Sequence, residues 1–449
     1  MKMKIFEDFR IKFEQADWSR NPEFGLLDTI LEVHPELLKI VEPDIRKGEK
    51  PGSFGRKDMP SVEQIVRSAI YKELKGLDYR ELEYHQVDSR ICEQFVKIAP
   101  LRPFSFQVYQ KYISKISAES LDELLVSLNR IAISEGLEDL QSFRQDSTVI
   151  ETNIHYPANN ALVWDCIKES HRLLTHLQEE IETLTIRDYT KSGKKTCYLI
   201  NNTKSGDKRV NLFKKQLVTF TKSINQVSNV VKKKRNYKET AKSFLLKGDL
   251  KRLLVLMQQV YSMTLRREVK GEKVANDEKI FSIYELHTGI IVKGSREVQF
   301  GHKVNLSTGR SNLILSCEVL DGNPADSSLY KRTLDKVTGS YGITPRDSVT
   351  DGGYASTENL NYAQSSGVAN VVFNKIVGSL RNRVSSKNME TRLKKWRSGM
   401  EAVISNYKRK FEMFRCTWKG KSHFKQKVLW SAIAYNIRVM TATLIVAFQ

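Results

Sequence analysis

Cysteine is scarce and scattered in this chain. Its five copies, Cys92, Cys166, Cys197, Cys317 and Cys416, include no CxxC pair. That spacing argues against a disulfide framework and a thiolate zinc site, and it fits reduced thiols in a cytoplasmic protein. Internal repeats and low-complexity tracts are also missing. The opening MKMKIFEDFRIKFEQ is charged throughout and carries no apolar signal core. The most apolar stretch, Val428 to Phe448, is interrupted by Asn436 and Arg438, so it reads as a core helix and no membrane partner is expected. Acidic residues are in deficit: 52 Asp and Glu against 73 Lys and Arg leave a formal charge of +21. An excess that large favours a polyanionic partner, with nucleic acid ahead of acidic membranes.

Hydrophobic residues make up 40% of the 449 positions, enough for two or three buried cores. Residues 1–140 read as an all-α, helix-turn-helix-like domain for DNA binding or dimerisation. Ser61-x-x-Gln64 has the form of a capping box, and Asp78 opens the next short helix. Either Ile65–Leu74 or Phe106–Ile116 would serve as the helix that reads DNA. From residue 141 the character changes: QSFRQDSTVIETNIH is rich in β-branched residues and places Asp146 inside a strand. A carboxylate there needs a cation or hydrogen bonds to offset its burial.

Residues 160–275 are helical again and strongly basic, with Lys232, Lys233, Lys234 and Arg235 in one run expected to meet DNA phosphates. KIFSIYELH (279–287) reads as a strand, Gly289-Ile290-Ile291 as a turn, and VQFGHKVNL and LILSCEVL as further antiparallel strands. Helices are expected over 328–337 and 356–365. Asp347–Asp351 forms a short strand ending at Gly352-Gly353, where missing side chains would let backbone and DNA approach closely. Residues 369–373 form a buried strand. One long helix is expected over Lys387–Phe414. Its spacing puts Trp396, Met400, Val403, Tyr407, Phe411 and Phe414 on a core stripe, with Arg397, Glu401 and Lys408 on a second stripe beside it.

With the basic insert set aside, the element order is that of a ribonuclease H-like α/β domain. The expected architecture is therefore a catalytic domain over 141–449, interrupted by a basic helical insertion at 160–275 and preceded by the helical domain. In that order Asp146, Asp351 and Glu401 meet at one end of the sheet. Three carboxylates without His or Cys ligands suit two hard cations, Mg²⁺ or Mn²⁺, which activate an attacking hydroxyl and stabilise the leaving oxygen at a phosphodiester. All three acids are the expected metal ligands and catalytic residues, and Arg397 and Lys408 are expected to hold phosphates. Asp326, Asp347 and Glu390 are weaker candidates, His302 reads as a core histidine, and Ser147 has no nucleophile triad.

DSTVIETNIHYP around Asp146, VTDGGYAS around Asp351, and Arg397-x3-Glu401-x6-Lys408 together resemble bacterial insertion-sequence transposases of the DDE type. The likeness is to the branch with a Tyr-x2-Arg-x3-Glu-x6-Lys signature, and FGHKVNL and EVLDGNPADS look like further segments of the family. Lys394 stands where that signature has Tyr, leaving Trp396 or Tyr407 as the available aromatics. Such transposases usually carry a β-rich insertion between the second and third acids; here the insert lies between the first and second and reads helical. The resemblance implies cleavage at the ends of an insertion sequence and joining of the 3′ ends to target DNA. It also implies recognition of terminal inverted repeats in double-stranded DNA, a homodimer or higher oligomer, and a cytoplasmic protein associated with the nucleoid. A metal-dependent nuclease without strand transfer and a catalytically inactive DNA-binding regulator remain as alternatives.

Overall fold

In a computed structural model of the chain, the described residues are 18, 21–48, 59–98, 103–232, 240–293, 297–376 and 378–448. They divide into two compact units, residues 1–152 with 291–449, and residues 153–290.

The first unit opens with helices α1 (Pro22–Val33), α2 (Glu36–Arg46), α3 (Val62–Lys75), α4 (Tyr79–Asp88), α5 (Arg90–Val96), α6 (Phe106–Ile113) and α7 (Ala118–Ser134). The Ser61–Gln64 capping box forms in both directions, and Gly76 closes α3 in a left-handed cap. A second box, Asp78 with Glu81, starts α4; each such cap stabilises its helix by about 1 kcal/mol. Every residue of α3 from Ile65 to Leu74 is buried. A helix covered on all sides cannot enter a DNA groove, which overturns Ile65–Leu74 as a reading helix. Its polar residues misled because they are paired inside: Arg67 with Asp28 and Glu63, Lys72 with Glu73. The other candidate, α6, ends at Ile113 and keeps Gln107, Gln110 and Lys111 exposed.

The sheet comprises β1 (Ser142–Thr152), β2 (Gly289–Lys293), β3 (Glu297–Thr308), β4 (Ile314–Val319), β5 (Asp347–Asp351), β6 (Asn370–Asn374) and β7 (Arg415–Cys416). Its order is β2-β3-β1-β5-β6, with β4 also on β3 and β7 on β1. β1, β3 and β4 pair antiparallel, whereas β1, β5 and β6 run parallel. The parallel strands are joined through α12 (Asp326–Tyr341) and α13 (Thr357–Ser365), as parallel crossovers require. This mixed sheet with its helices is consistent with a ribonuclease H-like domain.

The chain closes with α14 (Lys387–Arg397), α15 (Gly399–Lys410) and α16 (Lys421–Phe448). By length and composition α16 could cross a membrane, but 67% of its apolar window is buried. Its polar interruptions are satisfied internally. Asn436 accepts from the Ile314 N–H and donates to the Ile314 carbonyl and Asn129, and Arg438 donates to the Leu74 carbonyl. The helix therefore joins the N-terminal helices to β4 through one core.

The expected single helix over Lys387–Phe414 is two helices, parted at Ser398. Arg144, buried on β1, donates Nη1 to the Trp396 carbonyl at 2.7 Å, an acceptor that an unbroken helix would direct to Met400. A Cβ on Gly399 would lie 2.5 Å from the same nitrogen, so glycine is what fits against Arg144. Met400, Val403, Tyr407 and Phe411 are buried as the stripe predicts, but Phe414, beyond the end of α15, is 55% exposed.

The second unit is built from α8 (Asn159–Glu180), α9 (Thr190–Asn201), α10 (Asp207–Lys232) and α11 (Ala241–Thr264) around Leu173, Leu177, Phe220, Val227, Leu250 and Met257. The segment 279–287 is not a strand. Ser282 Oγ accepts the N–H groups of Tyr284 and Glu285, a local turn that competes with sheet pairing. Gly289-Ile290-Ile291, expected to begin a turn, instead opens β2.

Candidate active site

β1 and β5 set the first two acids side by side. Their parallel register pairs Gln145 with Thr350, so one further step brings Asp146 alongside Asp351 at the carboxyl end of β5. Immediately after Asp351 the chain turns under β6. A Cβ on Gly352 would sit 2.5 Å from the Lys375 carbonyl oxygen, so this glycine answers to packing of the chain itself. Glu401 comes from the first turn of α15, one helical turn beyond Arg397 at the end of α14.

The three acids meet on Arg397. Its Nη2 donates to Asp146 Oδ2 at 2.9 Å and lies 3.8 Å from Asp351 Oδ2, while Nη1 donates to Glu401 Oε1 at 2.8 Å. The guanidinium side chain is 9% exposed, against 20% for Asp146, 44% for Asp351 and 69% for Glu401. Arg397 thus closes the inner side of an acidic mouth instead of reaching outward, and its Nε is buried without a hydrogen-bond partner. From α15, Glu401, Ser405, Lys408 and Arg409 line a cleft of about 360 Å³ with Asp146 and Ser147 of β1. Lys408 sets its ammonium 5.6 Å from the centre of the Phe414 ring.

A fourth carboxylate stands beside the three. Asp326, at the start of α12, accepts from Ser147 Oγ at 3.0 Å and pairs with Lys303 at 2.7 Å. Tyr354, buried behind the site, registers the collective field: burial first, then the Asp326, Asp146 and Asp351 carboxylates, push its hydroxyl well above the ordinary value. Arg144 backs the site from β1, bonded to Thr308, Asn312 and the Trp396 carbonyl, with its guanidinium 4.6 Å from the Trp396 ring centre. Burial pulls Arg144 down to about 10. The sequence offered no signal for this residue, because its strand, SFRQDSTVIET, is mostly polar and Arg144 does not stand out in it.

Other candidates sit elsewhere. Asp347 is at the far end of β5 with Arg346 and Asn370, and Glu390 pairs with Lys394. His302 is a core residue bonded toward the Leu320 carbonyl and packed on Phe424. Tyr407 is fully buried with its hydroxyl on the Val428 carbonyl, so it cannot replace the missing signature Tyr at a DNA contact. Lys232 is exposed at the end of α10 in the other unit. Lys233, Lys234 and Arg235 lie outside the described residues.

Among the described residues, no group of three or more His, Cys, Asp or Glu is spaced to hold a metal ion as it stands. The donor chemistry of Asp146, Asp351 and Glu401 fits a hard cation, since all are carboxylates already turned toward one shared positive charge. In this structure that charge is the guanidinium. Carboxylates gathered from β1, β5 and α15 at the end of a mixed sheet, flanked by cations, define a site suited to phosphodiester chemistry. Residues 285–437 match the family model of the transposase DDE domain, which spans the second and third acids. That match supports a transposase of the DDE family, whose members normally use divalent metal ions. No curated protein and no solved structure matches the chain.

Proposed function

We propose that the chain is a DNA transposase that cuts at the ends of an insertion sequence and joins the freed 3′ ends to target DNA. The observation that carries this reading is the convergence of Asp146, Asp351 and Glu401 on one guanidinium, from strands and a helix far apart in sequence. Two Mg²⁺ or Mn²⁺ ions, when bound, would supply an activated water or 3′-hydroxyl and stabilise the leaving oxygen. Asp146, Asp351 and Glu401 would hold them.

The remaining work falls to the chain's own residues. Arg397 keeps the acid cluster electrically compensated, and it becomes available to a DNA phosphate once another cation takes its place. Lys408, two turns along the same face of α15 from Glu401, meets a second phosphate across the cleft. Arg144 fixes the break between α14 and α15, so the Arg397–Glu401 pair stays aimed at β1. The exposed side of α6 is the proposed reader of the terminal inverted repeats, and two or more copies assemble on the DNA in the cytoplasm at the nucleoid. This reading takes the divergence from the signature at Lys394 as tolerated.

The test is a strand-transfer assay on duplex ends carrying the sequences that flank the gene, with Mg²⁺ or Mn²⁺ and a target plasmid. Nicked ends joined to the target through their 3′ termini are expected. Cleaved ends that never join would replace the transposase with a nuclease. Binding without any cleavage would leave only a regulator.

A further inference from the structure

The segment just after Glu401 carries a charge pattern that the three acids do not explain. From Lys408 to Lys427 there are eight Lys or Arg and one acid, Glu412. Arg415, Lys421 and Lys427 are paired, with Glu151, Asp321 and Glu73. Arg409, Lys410 and Lys419 are exposed and make no ion pair among the described residues. A row of uncompensated like charges repels itself unless an anion meets it.

This row runs from the cleft to a second, larger cavity. Arg409 and Phe414 line the cleft beside Asp146 and Glu401, while Arg415, Trp418 and Lys419 line a cavity of about 900 Å³. On the cavity's inner wall the Tyr79 and Trp418 rings lie 6.0 Å apart, with the Lys72 ammonium 5.0 and 5.5 Å from their centres. Glu73 is the carboxylate that both Lys72 and Lys427 contact, so a buried and a half-buried cation share one anion. Gln110 and Ser114, on and just after α6, complete the wall. Cations interleaved with aromatic faces along a groove are what a nucleic-acid strand requires.

We propose that the Arg409–Lys419 strip is a DNA-binding track that carries the phosphate backbone from the candidate active site to the Tyr79–Trp418 cavity beside α6. It rests on the DNA-processing reading above and adds the path of the DNA away from the acids. None of the three unpaired cations touches the acid cluster.

The experiment is equilibrium binding of the full chain to a fluorescein-labelled duplex of arbitrary sequence, followed by anisotropy in EDTA over a range of salt. The triple variant Arg409→Gln/Lys410→Gln/Lys419→Gln is compared with a control bearing Lys39→Gln and Lys331→Gln, two exposed lysines elsewhere. A lost phosphate contact flattens the log–log salt slope by about one. The track therefore predicts a slope shallower by about 2–3 and affinity weakened about tenfold or more near 0.1 M salt, with the control unchanged. If the unaltered chain binds and the triple variant matches the control, the track is wrong and the transposase reading stands. If the unaltered chain does not bind the duplex, both fall together.

Discussion

Replacing Arg397 by Gln should destabilise the metal-free protein and sharpen its response to divalent ions. The guanidinium is nearly buried and compensates three carboxylates at once. Deleting one partner of a buried pair costs about 3–5 kcal/mol, whereas an exposed pair contributes about 0–1 kcal/mol. Asp146 belongs near the first class; Asp351 and Glu401, 44% and 69% exposed, belong to the second. The expected loss is therefore about 3 kcal/mol, set mainly by Asp146. At about 1.5 °C per kcal/mol for a unit of roughly 300 residues, Tm should drop by about 4–5 °C in EDTA.

Divalent ions should recover part of that loss. In the unaltered protein an ion has to displace Arg397, but in Arg397→Gln it meets carboxylates with no competing cation. An ion at ten times its Kd adds about 1.4 kcal/mol, so Mn²⁺ should raise the variant's Tm at lower concentration than it raises the parent's. Scanning calorimetry with and without Mn²⁺ reads both effects. Loss below about 0.5 kcal/mol, or equal Mn²⁺ shifts in the two proteins, would refute the idea that Arg397 occupies the cation position.

Asp351→Asn and Glu401→Gln should each lower strand cleavage by about 10³-fold or more, the several kcal/mol a catalytic ion supplies, while duplex binding in EDTA is retained. Gly399→Ala drives a Cβ against Arg144 Nη1, which other bonds hold in place; a cost of about 1–3 kcal/mol is expected in urea unfolding, and Arg144→Leu in the same chain should return part of it. His155 donates toward Asp165 at 2.6 Å, which raises its pKa above 6.5. Its contribution is full below the unfolded pKa and fades as pH rises through the folded one; a histidine NMR resonance absent from His155→Gln should titrate above 6.5, and midpoint behaviour at or below 6.5 would refute this.

Much of this arrangement was legible in the residues. The strand holding Asp146 and the short strand ending at Asp351 followed from β-branched runs and turn residues, because those signals are local, whereas 279–293 was misread because the Ser282 turn overrides the strand-like run KIFSIYELH. The position of Arg397 was not legible. Spacing fixes the helix face a residue occupies, but not what opposes that face, and here it is β1 with its own carboxylate. The break at Ser398 was hidden for a related reason: the periodicity of TRLKKWRSGM is continuous, and the interruption comes from Arg144, distant in sequence. Likewise the burial of α3 was not legible because Arg67, Lys72 and Glu73 are charged, although each is buried with a partner.

The long insert is tolerated for a reason the sheet makes plain. β1 and β3 are antiparallel neighbours whose register runs from Arg144 opposite Thr308 to Glu151 opposite Gly301. Two such strands need only a short turn between them, and residues 153–290 leave and return at that junction. The pairing is held by buried residues on both strands, among them Val149, Ile150, Val304 and Leu306, so a slip would expose them. Extra chain at the junction adds only about 0.6 kcal/mol of closure entropy per doubling of its length. Asp146 therefore keeps its place beside Asp351 whatever fills the gap. An insertion between β6 and α14 would instead lengthen the link that brings Arg397 and Glu401 to the sheet, where the Arg144–Trp396 carbonyl bond, the Gly399 contact and the buried Leu393, Met400 and Val403 set their position.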